Sequence, residues 1–270
     1  GAYDLATEWL ARAQARFEKL QDEAGIGQVL HYAGTVADQQ GDYEAANTLW
    51  RESLALRRSL DDKPSIGGLL SNLGIVAARQ GDMEAARSLL EESLTVRREI
   101  DDRWAIAVTL NNIGFLALLQ DRHDEARAPL EEALALQREV GDRWMIGNAL
   151  NNLGNVARAQ GQYDEAKALY GESLNIYRIL GDKYALAYLF EDMGCLAALQ
   201  EQSSRALRLA GAASALREEI GGPLTPTEES QLEAALEPAR QALDAETQAA
   251  VWAEGRAMAL DQIFEMAMSD

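Results

Sequence analysis

The chain has one cysteine, two histidines and five prolines, and each shortage narrows what it is. A single thiol, Cys195, excludes an internal disulfide and any cysteine-based metal cluster, and fits a reducing, cytoplasmic setting. His31 and His123 lie far apart, which leaves little for acid–base catalysis or for a metal site. Basic side chains are short too: 25 against 44 acidic ones, a formal net charge of −19. Such a surface repels phosphate, so neither nucleic acid nor an anionic membrane is an expected partner. No apolar run reaches the length of a bilayer span; the best, 104–119, is interrupted by Asn111 and Asn112. The start of the sequence has no basic stretch followed by an apolar one, so no signal peptide is expected. β-Branched runs of period two are absent, and three of the five prolines fall after residue 220. With 47% hydrophobic residues disorder is excluded, and the expected class is all-α.

What is present is a period of 40 residues. Gly41-Asp42-Tyr43-Glu44-Ala45-Ala46 returns as Gly81-Asp82-Met83-Glu84-Ala85-Ala86 and as Gly161-Gln162-Tyr163-Asp164-Glu165-Ala166. A weaker copy is Asp121-Arg122-His123-Asp124-Glu125-Ala126. Asn-Leu-Gly stands at 72–74 and 152–154, with Asn112-Ile113-Gly114 and Asp192-Met193-Gly194 in register. Gln40, Gln80, Gln120, Gln160 and Gln200 close the same helix each time. A period of this length with registered copies marks a helical repeat array. Each copy predicts two helices, for example 64–80, ended by Gly81, and a second capped by Asp82 and running to about 100. Short connections make consecutive helices antiparallel. A single pair cannot bury its stripe, so pairs must stack into a right-handed α-solenoid.

The spacing resembles the tetratricopeptide repeat. Leu73 and Gly74 match its Leu-Gly pair, Ala86 its small residue, and Leu90 and Ser93 the next large and small sites; Gly154, Ala166, Tyr170 and Ser173 fit likewise. The long second helix resembles the version in kinesin light chain and in bacterial signalling regulators, without its usual terminal proline. The resemblance covers residues 1–219, and what it implies is a fold. Gly1 to Ala6 aligns with Gly41 to Ala46, so the array is expected to open on a half repeat, with Leu5, Trp9 and Phe17 as an uncovered stripe. After Gly221-Gly222-Pro223, residues 220–270 read as a C-terminal helical cap, with helices starting near Thr225, Asp244 and Leu260.

The tail carries a second resemblance. Arg205-Ala206-Leu207-Arg208-Leu209-Ala210-Gly211-Ala212-Ala213, Pro223, and Trp252-Ala253-Glu254-Gly255-Arg256-Ala257-Met258 are similar to the end of bacterial STAND signal-transduction ATPases. That resemblance implies a non-catalytic C-terminal sensor that takes an inducer (a peptide, a protein or a small polar molecule) and controls ATPase and effector domains elsewhere in the same polypeptide. The alternative is an autonomous tetratricopeptide docking scaffold or adaptor.

Each first helix carries two stripes on opposite faces. One, such as Ile66, Leu70, Leu73 and Ala77, scarcely varies between copies and is expected to pack. The other varies and is expected to line a ligand groove: Trp104, Asn111 and Phe115; then Trp144, Asn148, Asn151, Asn155 and Arg158; then Tyr188 and Glu191. Amides both donate and accept, which suits a peptide backbone, and the aromatic rings offer flat apolar area. The same amides could instead join adjacent helices. Asn151 and Asn155 lie off the packing stripe, so their loss should weaken ligand binding and leave stability nearly unchanged. Trp104, Trp144 and Tyr184 could equally pack against the preceding second helix. Arg57-Arg58 and Arg97-Arg98 read as solvated, and His123 as a turn residue. Gly25-Ile26-Gly27 follows no strand, no phosphate-binding loop is present, and Glu91-Glu92 and Glu131-Glu132 mark an exposed face. No catalytic residue, metal or cofactor is expected.

Overall fold

The computed structural model describes residues 2–269 and contains, among them, fourteen helices and no strand. A lone helix, α1 (Ala2–Leu20), precedes five pairs. They are α2 (Glu23–Gln39) with α3 (Tyr43–Ser59), α4 (Lys63–Arg79) with α5 (Met83–Glu99), α6 (Arg103–Leu118) with α7 (His123–Val140), α8 (Arg143–Ala159) with α9 (Tyr163–Leu180), and α10 (Lys183–Leu199) with α11 (Ser203–Ile220). The tail forms α12 (Pro226–Gln241), α13 (Ala245–Ala257) and α14 (Leu260–Met268). The arrangement is an α-solenoid of helix pairs. Gly1, the first residue of the half-repeat alignment, lies outside the described residues.

The boundaries follow from local chemistry. Asp22, Asp42, Asp62, Asp82 and Asp102 each accept a hydrogen bond from the backbone N–H three residues on, as do Asp142 and Asp182. These side chains satisfy donors that the first helical turn leaves open. The residue before the cap takes a left-handed conformation, with φ of 84° at Gly81 but also 52° at Asp61 and 61° at Glu201.

The chain divides into two compact units, up to Leu136 and from Gln137 onward. In the first, Trp50, Leu54, Leu69, Leu70, Leu73 and Val76 form a buried cluster. The Leu-Gly position is where a second helix crosses most closely. A Cβ on Gly34 would lie 2.5 Å from the Trp50 ring, and one on Gly114 would lie 2.4 Å from Leu130. A repeated latch joins each of two pairs, with the hydroxyls of Ser53 and Ser93 donating to the carbonyls of Gly27 and Gly67, both at 2.7 Å. Arg58–Glu92 and Arg98–Glu132 run between successive second helices on the exposed face. At the start, Leu5 and Trp9 are exposed, Trp9 by 61%. Phe17 instead lies over Gly25 of α2.

In the second unit, α9, α10 and α11 share a core with α14 through Tyr170, Leu186, Phe190, Leu209, Ile263 and Phe264. The latch recurs as Ser173 to the Gly147 carbonyl at 2.8 Å, and the outer ladder as Arg138–Glu172 at 2.7 Å. α13 crosses α11 backbone to backbone. A Cβ on Gly255 would lie 2.1 Å from the Arg208 carbonyl, and one on Gly211 would lie 2.5 Å from that of Trp252.

Two expectations are corrected. Arg57 is buried and bonded to Asp62 and Gln28, and Arg97 is half-buried against serines; only Arg58 and Arg98 face water. The first member of each pair points along the seam between helices, where its guanidinium finds partners. His123 is the first residue of α7 and not part of a turn.

Candidate functional site

In the first unit, α6 carries Trp104, Asn111 and Phe115. Asn111 is buried, whereas Trp104 and Phe115 are exposed, Phe115 by 47%. Both rings therefore present apolar area at the surface of α6.

In the second unit the stripe of α8 and α10 is a polar network. Asn151 and Asn155 both donate through Nδ2 to Asp192 Oδ2, at 2.9 and 3.1 Å. The Asn155 carbonyl accepts from the Tyr170 hydroxyl at 2.7 Å and from Arg158 at 3.2 Å. Arg158 also donates through Nε to Tyr170 at 3.2 Å, and stands 3.7 Å from Asp192. Burial pushes the Asp192 carboxyl above its usual range, with Arg158 and the two amides opposing. Burial likewise pushes the Cys195 thiol up to about 12, so it stays protonated at neutral pH and is a poor redox group. Asn151 and Asn155 thus join α8 to α10. The expectation that their removal spares stability does not survive: it would strip a largely buried carboxylate of its donors.

Glu191 is not free to meet a ligand. It is buried and accepts two hydrogen bonds from Arg217 of α11, at 2.5 and 2.7 Å. Arg217 donates also to the Gly222 carbonyl at 3.2 Å and lies 4.1 Å from the centre of the Tyr188 ring. Tyr188 donates to Glu228 at 3.1 Å and pairs with the Tyr184 hydroxyl at 3.2 Å. Glu228 in turn closes the capping box of α12 with Thr225. The tail therefore reaches the stripe at its fifth copy and holds Tyr188 there.

Three other predicted residues remain at the surface or near it. Asn152 of α8 donates to Asn148 at 3.4 Å. Trp144 is exposed, yet its indole N–H donates to Asp182 at 2.7 Å and its ring meets Tyr177 edge-on, which is the second helix that follows, not the one that precedes. Tyr184 is exposed beside Tyr188. Asp192, Tyr170, Arg217 and Glu228 are functional-looking residues that the stripe missed. The signal for Asp192 was visible: it replaces the asparagine of the repeated Asn-Leu-Gly at the fifth copy, and that charge gathers the amides around it.

Among the described residues, no group of histidine, cysteine and carboxylate side chains could hold a metal ion, and no helix is long and apolar enough to cross a membrane. No curated protein matches the sequence. Solved structures do resemble the fold. BtubC (BKLC) from P. vanneervenii aligns at a TM-score of 0.68 and 20% identity over 83% of this chain and 94% of that one. The apo form of RapI aligns at 0.67 and 15% identity over 86% and 89%. A putative kinesin light chain repeat protein of Podospora anserina aligns at 0.58 and 16% identity over 73% and 96%. The sequence profile of the tetratricopeptide repeat matches residues 65–139 and 145–219, more than half of the chain, with its Leu-Gly crossings at Gly74, Gly114, Gly154 and Gly194. The chain belongs to the tetratricopeptide repeat family.

Proposed function

We propose that the chain is a ligand-sensing, protein-interaction module with no catalytic role of its own, residues 1–219 being the repeat array and 220–270 its cap. Its contact faces are the first helices of the third to fifth pairs. The observation that carries this is the exposure of two aromatic rings on the first helices of each unit: Trp104 and Phe115 on α6 in one, Trp144 and Tyr184 on α8 and α10 in the other. Beside them stand Asn111, Asn148 and Tyr188, while Asn151, Asn155, Arg158 and Glu191 form the rigid polar floor. A peptide fits such a surface, its side chains against the rings and its backbone against amides. The fold is shared with a Rap protein solved in complex with the Competence and Sporulation Factor, at a TM-score of 0.62 and 14% identity. That likeness supports the fold, and the peptide reading rests on the residues named here.

The tail resemblance supports a finer role as the C-terminal sensor of a STAND regulator, in which inducer binding releases an ATPase switch in the same polypeptide. A gene encoding a phosphate-binding loop before these repeats would favour it; a gene encoding the repeats alone would favour an autonomous scaffold. For the contact faces, the protein would be panned against a random peptide library on beads. Peptides held by the first unit should lose at least about 10-fold in affinity on Phe115→Ala, and those held by the second on Trp144→Ala, the scale of an aromatic anchor. Enrichment that both variants retain in full would reject both faces.

A further inference from the structure

We propose that a cleft between α11 and α12 is a binding site for an organic cation, an ammonium or guanidinium group on a short apolar stem. The cleft has a volume of about 370 Å³ and is walled by Leu224, Leu232 and Trp252. That size is at the lower end of pockets that hold small ligands. Its rim is acidic, with Glu218, Glu229 and Glu233. Two of these already have partners: Arg256 holds Glu218 at 2.7 Å, and Arg240 holds Glu233 at 2.8 Å. The exposed carboxylate of Glu229 has no hydrogen bond or ion pair among the described residues; only its backbone N–H is bonded, to the Thr225 carbonyl at 2.9 Å. It is also surplus to the helix start, because Glu228 alone closes the capping box with Thr225.

An anion finds no counterpart there. The one basic residue of the lining, Arg217, directs its N–H groups to Glu191 and to the Gly222 carbonyl and lies over the Tyr188 ring. A neutral apolar molecule would gain the Leu224, Leu232 and Trp252 walls but no attraction from the Glu229 carboxylate. A cation with a hydrocarbon stem gains from both, its charge beside Glu229 and its stem against the Trp252 and leucine walls. The overall charge of −19 raises the local concentration of any such cation at the surface. Glu191 borders this cleft as well as the α10 stripe, but the proposal turns on Glu229 and Trp252, which lie outside the first-helix contact faces, so the two are tested separately.

Two sources share this chemistry: a free amine, and a basic side chain of a peptide. The full chain, labelled with ¹⁵N, would be titrated with phenethylammonium, with acetyl-Gly-Arg-Gly-amide, and with neutral 2-phenylethanol. The readout is the indole N–H resonance of Trp252, assigned by its loss in Trp252→Phe. At least one cation should shift that resonance, and 2-phenylethanol should bind about 5-fold or more weakly. Glu229→Gln should weaken cation binding by about 5-fold without moving the alcohol. A response to the peptide alone assigns the cleft to a basic side chain; a response to the amine alone assigns it to free amines. Equal binding of amine and alcohol, an unmoved Trp252 resonance with both cations, or an unchanged affinity in Glu229→Gln with its resonances otherwise in place would each overturn the proposal.

Discussion

The second and fifth helix pairs place an arginine at the same register position, and only one of the two is given a carboxylate. Arg97 of α5 reaches hydroxyls, Ser93 at 3.0 Å and Ser71 at 3.4 Å. Burial draws its guanidinium below its ordinary value, with Asp102 opposing. Arg217 of α11 finds Glu191 at the position of Ser71. Burial pulls on it as well, but Glu191 outweighs that and holds it above its ordinary value. A hydroxyl satisfies an N–H without answering the charge, so Arg97 sits half-exposed whereas Arg217 can be buried. The pairs differ again at the turn between their helices, where Gly81 in one is replaced by Glu201 in the other, both left-handed.

The largest test of this contrast is to remove Glu191. Glu191→Ala strands a buried guanidinium and should cost about 3–5 kcal/mol in urea unfolding. Ser71→Ala, the same position in the second pair, should cost only about 1 kcal/mol. Equal losses would break the comparison. Next comes the neighbouring network: Asn155→Ala removes a donor to Asp192 and an acceptor for Tyr170 and Arg158, for about 1–3 kcal/mol in the same assay.

The pH dependence sharpens the contrast further. The folded state raises the Asp192 carboxyl above its ordinary value of 3.8, so the fold binds that proton more tightly than the unfolded chain does. Its contribution is fully present below 3.8 and is lost as pH rises through the raised folded value. Relative to Asp192→Asn, the wild type should therefore gain stability as pH falls from 7 toward 4 in a series of urea titrations. A difference that is flat, or that runs the other way, would contradict the environment described for Asp192. At the turns, Glu201→Gly should raise stability by about 1 kcal/mol and Gly81→Ala should lower it by a similar amount. No neighbour lies within 4 Å of a Cβ at Gly81, so that effect is one of backbone conformation. The smallest change is expected from Arg98→Ala on the exposed ladder, below about 0.5 kcal/mol.

The fold was legible in the sequence because its determinants are local and repeated. An aspartate opens seven of the ten paired helices, a left-handed residue precedes each of the seven, and Gly74, Gly114 and Gly154 mark the crossings in order. Even the irregular tail was readable, since Pro226, Asp244 and Leu260 stand at or just before its helix starts. The candidate site was half legible. Its helices and its exposed rings followed from the variable stripe. What the stripe hid was where polar side chains end. Asn151 and Asn155 lie off the packing face yet meet Asp192 from the next repeat, and Arg217 lies on a second helix but reaches back to Glu191. Such meetings depend on a few ångströms of side-chain reach, which a helical wheel does not carry. The column of Arg57, Arg97 and Arg217 was in view, but a doublet such as Arg57-Arg58 reads as one solvated patch when one member points into the seam and one out.

The serine latch and the outer ladder have a consequence for how such a chain changes over generations. The latch always joins residues 26 apart and the ladder residues 34 apart. Gaining or losing one residue in α5 ahead of Glu92, or in α9 ahead of Glu172, shifts both spacings and strands a hydroxyl and an ion pair together. Duplicating or excising a whole 40-residue copy leaves both spacings unchanged in the copies that carry them. Length is thus the easy variable for this architecture, and side-chain identity on the first helices the other. The tail stands outside that freedom: Gly211 and Gly255 let α13 cross α11 where a methyl group has no room. An array of this kind can grow in its middle while its last pair keeps one fixed ending.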